Sequence, residues 1–203
     1  TGVGKSTTLH YLSGSLFAAE GDHYISIEIK NPALAEVTTS SSPASETRYI
    51  KCIPIKLTDL GIQKSGYAYF LDLPGFEDTN GPEVDISNAV NIFHTLSECK
   101  SVKPLVLISL DSLGVRMKGI KKLARILAGM LPGVQQSLEK SPFTYLFTKF
   151  PPEKIGSIKS SIEKVLATLT PEEEADKGFC NIIEDIIYKI QGKPLTIKPL
   201  VPQ

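Results

Sequence analysis

The sequence predicts an α/β fold, with helices on both faces of a β-sheet, and three features carry that expectation. The chain opens on Thr1-Gly2-Val3-Gly4-Lys5-Ser6-Thr7, the last seven positions of the phosphate-binding pattern G-x-x-x-x-G-K-[ST], and runs straight into an apolar-periodic segment. Two strand-like runs, 48–57 and 67–72, are joined by a turn at Asp59-Leu60-Gly61, which suggests an antiparallel hairpin. A continuous apolar run, Leu105-Val106-Leu107-Ile108-Ser109-Leu110, reads as a central buried strand.

The elements follow in order. Leu9, Leu12 and Leu16 recur at helical spacing and predict a first helix over 5–17. Residues 18–47 are mixed: Tyr24 to Ile29 alternate between polar and apolar, and Thr38 to Thr47 form a Ser/Thr/Pro-rich surface loop. Pro54 lies within the first hairpin strand and cannot donate to a ladder, so that strand belongs at a sheet edge. Helices are expected at about 85–99 and 115–131, the second ended by Pro132-Gly133. Phe143 to Thr148 reads as a strand, followed by helices near 153–169 and 172–191 and a short last strand at Leu195-Thr196-Ile197.

Composition narrows the function classes. The chain has 203 residues, 41% of them hydrophobic, enough for the core of one domain spanning 1–203. Lys plus Arg equals Asp plus Glu at 22 each, so net charge gives no reason to expect nucleic acid or an acidic membrane as partner. Cys52, Cys99 and Cys180 are widely spaced and odd in number, which argues against a disulfide framework or a zinc site and makes a reducing, cytoplasmic setting the expectation. No apolar run approaches the roughly 18–20 residues a membrane span needs. His10, His23 and His94 are isolated and read as surface or packing residues.

The phosphate loop has a physical logic. Gly2 and Gly4 let backbone N–H groups close around phosphates, with Val3 and Thr7 completing the loop. Lys5 reaches the β/γ oxygens, Ser6 offers a hydroxyl to Mg²⁺, and the following helix aims its N-terminal N–H groups at the same anion. The loop's first glycine and the strand before it are expected upstream of Thr1, so the domain is expected to be truncated at its N-terminus, and at its C-terminus as well.

A second motif complements the first. Tyr67 to Asp72 is an apolar strand, and Asp72-Leu73-Pro74-Gly75 forms D-x-x-G, in which Asp72 can hold the metal's water shell and the Gly75 N–H can meet a γ-phosphate. Asp111 also follows an apolar strand, but Ser112 comes next rather than a glutamate and no glycine lies three residues on, so it reads as a strand-end cap. Thr47 is the candidate for closing on Mg²⁺ and the γ-phosphate, with Thr38 and Thr39 as alternatives. Thr148-Lys149 follows a strand as the N/T-K-x-D base reader would, with the Lys149 stem against the purine. The aspartate that would accept guanine's two hydrogen bonds is replaced by Pro151. The basic residues Arg116, Lys118, Lys121, Lys122 and Arg125 admit a membrane-surface helix, but a solvated face over a buried apolar stripe is the preferred reading.

Together these residues resemble the translation-factor-related GTPases. The long first switch, the Asp-Leu-Pro-Gly-Phe box and Ser45-Glu46-Thr47 before the edge strand look most like the paraseptin branch: septins, immune-associated nucleotide-binding GTPases and chloroplast import receptors. The resemblance covers Thr1 to about Pro152. It implies a three-layer P-loop fold whose mostly parallel sheet has one antiparallel edge strand, GTP or GDP bound with Mg²⁺, and hydrolysis to GDP and phosphate. Lys5, Thr47 and Gly75 would be the catalytic groups, and Ser6, Thr47 and Asp72 the metal-binding ones. A protein effector, or a homodimer through the nucleotide face, is the implied partner. Where Ras-like enzymes carry a glutamine to orient water this chain has Phe76, which cannot do so, and Glu77, Asp78 and Arg48 are weak substitutes. Slow turnover completed by a partner is therefore expected. The alternatives are an ATP-using P-loop enzyme and a nucleotide-gated interaction module without useful turnover.

Overall fold

A computed structural model describes residues 3–20, 23–35, 37, 50–74, 81–113, 117–130, 142–191 and 195–196. The protein is mixed α/β, and its contacts divide it into two compact units, one formed by Thr1–Ser101 with Lys198–Gln203 and the other by Val102–Ile197.

The first unit begins with helix α1 (Lys5–Leu12), then strands β1 (Leu16–Glu20) and β2 (His23–Glu28), which pair antiparallel. The helix expected over 5–17 thus ends five residues early. Gly14 adopts φ 79°, its N–H closes onto the Tyr11 carbonyl, and the Ser13 N–H returns to Leu9. This left-handed glycine stops the helix and turns the chain into β1. The Leu16 that suggested continued helical periodicity is instead the first residue of a strand.

Strands β3 (Lys51–Lys56) and β4 (Tyr67–Asp72) form the expected antiparallel hairpin, with Lys51 opposite Asp72 and Pro54 opposite Tyr69. Ile53 and Ile55 point inward while Cys52, Pro54 and Lys56 face solvent, the period-2 pattern of a half-buried strand. A 3-10 turn over Leu57–Leu60, closed by Gly61 at φ 74°, makes the connection. A second short turn, Pro32–Leu34, packs on β3, and Asn31 Nδ2 donates to the Pro54 carbonyl at 2.9 Å. Helix α1 packs on β2 and β4. Leu9, Leu34, Val37, Ile53 and Ile55 form this unit's buried cluster. Helix α2 (Pro82–Glu98) completes it, burying Asn88 and Ile92 while Ile86, Val90 and Phe93 are exposed.

In the second unit, β5 (Leu105–Ser109) and β6 (Thr144–Thr148) pair parallel and in register, Leu105 opposite Thr144 through Ser109 opposite Thr148. Thr196 adds a parallel bridge to Phe147, where the short last strand was expected. Asp111, read as a strand-end cap, lies exposed in the first turn of a short helix, α3 (Leu110–Leu113). Helix α4 (Lys118–Met130) buries Ile120, Ala124 and Leu127 at i, i+4 and i+7. The helix expected over 153–169 is two, α5 (Pro152–Ile155) and α6 (Ile158–Leu166), separated by Gly156-Ser157. The helix expected over 172–191 is also two, α7 (Pro171–Ala175) and α8 (Lys177–Lys189). Thr170 and Glu173 form a capping box on α7, and the Asp176 carboxylate takes the Phe179 N–H at the start of α8. Two competent caps within seven residues favour two helices over one.

The basic face of α4 is used within this unit. Lys121 and Arg125 each meet Glu173 at 2.7 Å, and the Arg125 guanidinium lies 5.1 Å from the Phe179 ring centroid. Lys118, Lys122 and Arg125 are exposed opposite the buried stripe, as a solvated face requires, whereas Lys121 is largely covered at Glu173. Among the described residues, no helix is long and apolar enough to cross a membrane. The described strands form three pairs, two antiparallel and one parallel.

Candidate phosphate-binding site

The site grows from the N-terminus of α1. Gly4 is its N-cap with φ 89° and ψ 28°, a left-handed conformation a side chain would strain, and nothing among the described residues lies within 4 Å of where a Cβ would stand. The Thr8 N–H donates to the Gly4 carbonyl at 2.9 Å, which closes the first helical turn. Gly4 provides no side-chain cap and the first turn contains no acidic residue, so the helix itself supplies no carboxylate to offset its N–H groups and the positive end of its dipole.

Lys5 is the first residue of α1, and Asp72 is the last residue of β4, 5% exposed. Because α1 packs on β4, these two groups, distant in sequence, act on each other. Burial pushes the Lys5 ammonium below its usual range, and the Asp72 carboxylate pulls it partly back. A desolvated lysine partly balanced by one carboxylate can accept further negative charge. Val3, Ser6 and Thr7 flank it, all half-buried.

Gly2, Thr47 and Gly75 lie outside the described residues, as do Thr38, Thr39, Arg48, Phe76, Glu77, Asp78 and Arg116. Thr148 and Lys149 belong to the second unit. Thr148 ends β6 and is buried, while Lys149 is exposed with φ 58°, a left-handed backbone uncommon for lysine. Phe150 then places its ring edge-on to Phe147 at 5.7 Å, and Pro151 caps α5. No three His, Cys, Asp or Glu side chains among the described residues cluster as a metal site.

Family models, curated proteins and solved structures yield no match to this chain. Local chemistry must therefore carry the functional argument.

Two residues on α1 escaped the sequence reading. Thr8 is 3% exposed and its Oγ1 has no hydrogen-bond partner among the described residues. His10, read as a surface or packing residue, is fully buried: its Nε2 stands 2.6 Å from the Val37 carbonyl and its Nδ1 3.2 Å from Ser15 Oγ. Only the apolar neighbours at Leu9 and Leu12 hinted that this part of α1 faces the interior.

Proposed function

We propose that this chain is a GTP-binding switch domain of three-layer P-loop architecture, whose hydrolysis of GTP to GDP and phosphate is slow and Mg²⁺-dependent. The observation that carries the reading is that the buried Asp72 carboxylate acts electrostatically on half-buried Lys5 at the N-terminus of α1, which has no side-chain cap. The phosphate motif and the D-x-x-G motif are independent in sequence, and folding places their charged residues within electrostatic reach of each other.

Each residue has a role in this reading. Lys5 neutralises charge on the β/γ oxygens, and Gly4 admits the phosphates close to the backbone. Ser6, Asp72 and Thr47 would hold the magnesium, and Gly75 would sense the γ-phosphate. The ion fits this donor set, since a hard cation takes a hydroxyl, a carboxylate and phosphate oxygens rather than a ready-made protein cage. Bound there, magnesium would supply charge neutralisation for the phosphates. With Phe76 after the glycine, water is oriented by a partner, either an effector or a second copy at the nucleotide face. Thr148 and Lys149 read the base, and the left-handed turn at Lys149 gives that loop a defined shape. Cytoplasmic residence is part of the same proposal.

The test is competition on a fluorescent GTP analogue with Mg²⁺, displaced by GTP, GDP or ATP. Displacement by guanine nucleotides is expected, with a loss of about a hundredfold or more in Lys5→Ala, the scale for removing one partner of a buried charged contact. Equal displacement by ATP would reassign the chain to adenine nucleotides. Absence of binding by the parent protein would reject the nucleotide reading.

A further inference from the structure

Helix α1 has eight residues and buries only Thr8, Leu9 and His10. A helix this short is marginal alone, so its direction comes from tertiary anchors. Leu9 supplies a non-directional one in the cluster with Leu34, Val37, Ile53 and Ile55. His10 supplies a directional one. Its ring spans from Ser15, just past the helix, to Val37, beyond the Pro32–Leu34 turn, with both nitrogens in use. The Val37 carbonyl can only accept, so Nε2 carries the proton and, in the neutral ring, Nδ1 accepts from the Ser15 hydroxyl. The Ser15 N–H also donates to the His10 carbonyl at 3.0 Å, fixing the serine to the same residue.

We infer that His10 is a positioning residue for phosphate binding: it locks the orientation of α1, and with it Lys5 and the helix N-terminus, through Ser15 and the Val37 carbonyl. This rests on the nucleotide reading above. Lys5 and His10 share one two-turn helix, so a tilt permitted at His10 is carried rigidly to Lys5. Displacements of about 1 Å at a positioned group can cost up to a hundredfold in function.

The experiment measures Mg²⁺·GTP affinity for the parent protein and for His10→Ala, His10→Gln, Ser15→Ala, Leu9→Ala and Lys5→Ala, each with its melting temperature. Hydrogen exchange of the α1 amides is followed without nucleotide. His10→Ala is expected to weaken binding about tenfold, the scale of leaving a buried carbonyl unpaired. It should do so well below its melting temperature, with faster α1 exchange. His10→Gln, which keeps an N–H donor, should recover most of the affinity, and Ser15→Ala should lose less than His10→Ala. Leu9→Ala should lower the melting temperature with a smaller loss of affinity. If the parent binds GTP and Lys5→Ala does not, but folded His10 variants bind like the parent or lose affinity only in step with stability, the inference is overturned and the nucleotide reading stands. If the parent binds no nucleotide, the nucleotide reading fails and the positioning role goes with it.

Discussion

The two units invest their interiors differently. The Val102–Ile197 unit has an extensive apolar core, drawn from β5, β6, α4, α6 and α8 and including Phe143, Phe147, Phe179, Ile182, Ile183 and Ile186. Among the described residues, the unit that begins the chain has a cluster of five buried apolar residues, with Phe17 and Ile92 buried outside it, and it buries Thr8, His10, Ser15, Asp72 and Asn88 as well. Burying polar groups costs stability unless each is partnered, whereas a contiguous apolar core gains with each residue added. The proposed site would lie in the unit that buries more of these polar groups, as expected where binding groups must be desolvated and held in place.

A matched pair of substitutions probes this contrast most strongly. Ile183 is 0% exposed and Ile53 is 1% exposed, so the same truncation to alanine removes the same atoms from two different surroundings. Ile183→Ala should cost about 4 kcal/mol and Ile53→Ala about 2 kcal/mol, because a site with fewer packed neighbours collapses more easily around the cavity. Urea unfolding read by a probe in each unit would measure both, and equal costs would erase the distinction.

The next largest effect concerns a buried polar network within the unit of the larger apolar core. Tyr145 donates to Asp185 Oδ2 at 2.7 Å, and Lys189 lies 3.2 Å from Asp185 Oδ1 and donates to the Phe143 carbonyl at 2.6 Å. Asp185→Ala should destabilise by about 3 kcal/mol, since it leaves a phenol and an ammonium without their carboxylate. A denaturation midpoint within error of the parent would show that the network adds nothing to the core.

The alkaline pH response sharpens the comparison from the other side. Folding lowers the Lys5 pKa through burial, so charged Lys5 opposes folding below its folded pKa. The opposition fades as pH rises through that value towards the ordinary 10.5, so stability should rise across this window. Lys5→Gln should remove the rise, and an unchanged pH profile would place Lys5 in water. A bound polyphosphate should oppose the same shift, so nucleotide should stabilise more at neutral than at alkaline pH.

The smallest effect is at the surface. The Lys121 side chain holds the Glu173 carboxyl below its usual range, aided by the Thr170 N–H and Arg125. This stability is present above the ordinary pKa of 4.5 and lost as pH falls through the lowered folded value. Glu173→Gln should cost less than about 1 kcal/mol at neutral pH and flatten the acid limb of the melting curve. A larger loss would show the α4–α7 contact to be more than a solvated ion pair.

Legibility followed the range of the signal. The hairpin was readable because alternation at Ile53 and Ile55 and the turn before Gly61 are local, and β5 and β6 because apolar runs of that length have few alternatives. Helix ends were misjudged wherever a cap competed with periodicity, at Gly14 and at Asp176. Of the candidate site, the residue types at Gly4, Lys5, Ser6 and Asp72 were legible, since phosphate chemistry restricts them. The role of His10 was not, because its partner Val37 lies across a turn and a carbonyl acceptor has no sequence signature.

By itself the sequence determined the Gly-Val-Gly-Lys-Ser-Thr and Asp-Leu-Pro-Gly motifs, the balanced charge and the alternation of strands and helices, all consequences of residue type and short spacing. Only the tertiary structure decided that the Asp72 carboxylate acts on Lys5, that α1 ends at Leu12 and is hydrogen-bonded through His10, and that Lys121 and Arg125 of α4 are drawn to Glu173. Those outcomes depend on burial and on contacts between distant segments, where desolvation and hydrogen-bond geometry, rather than local propensity, select the arrangement.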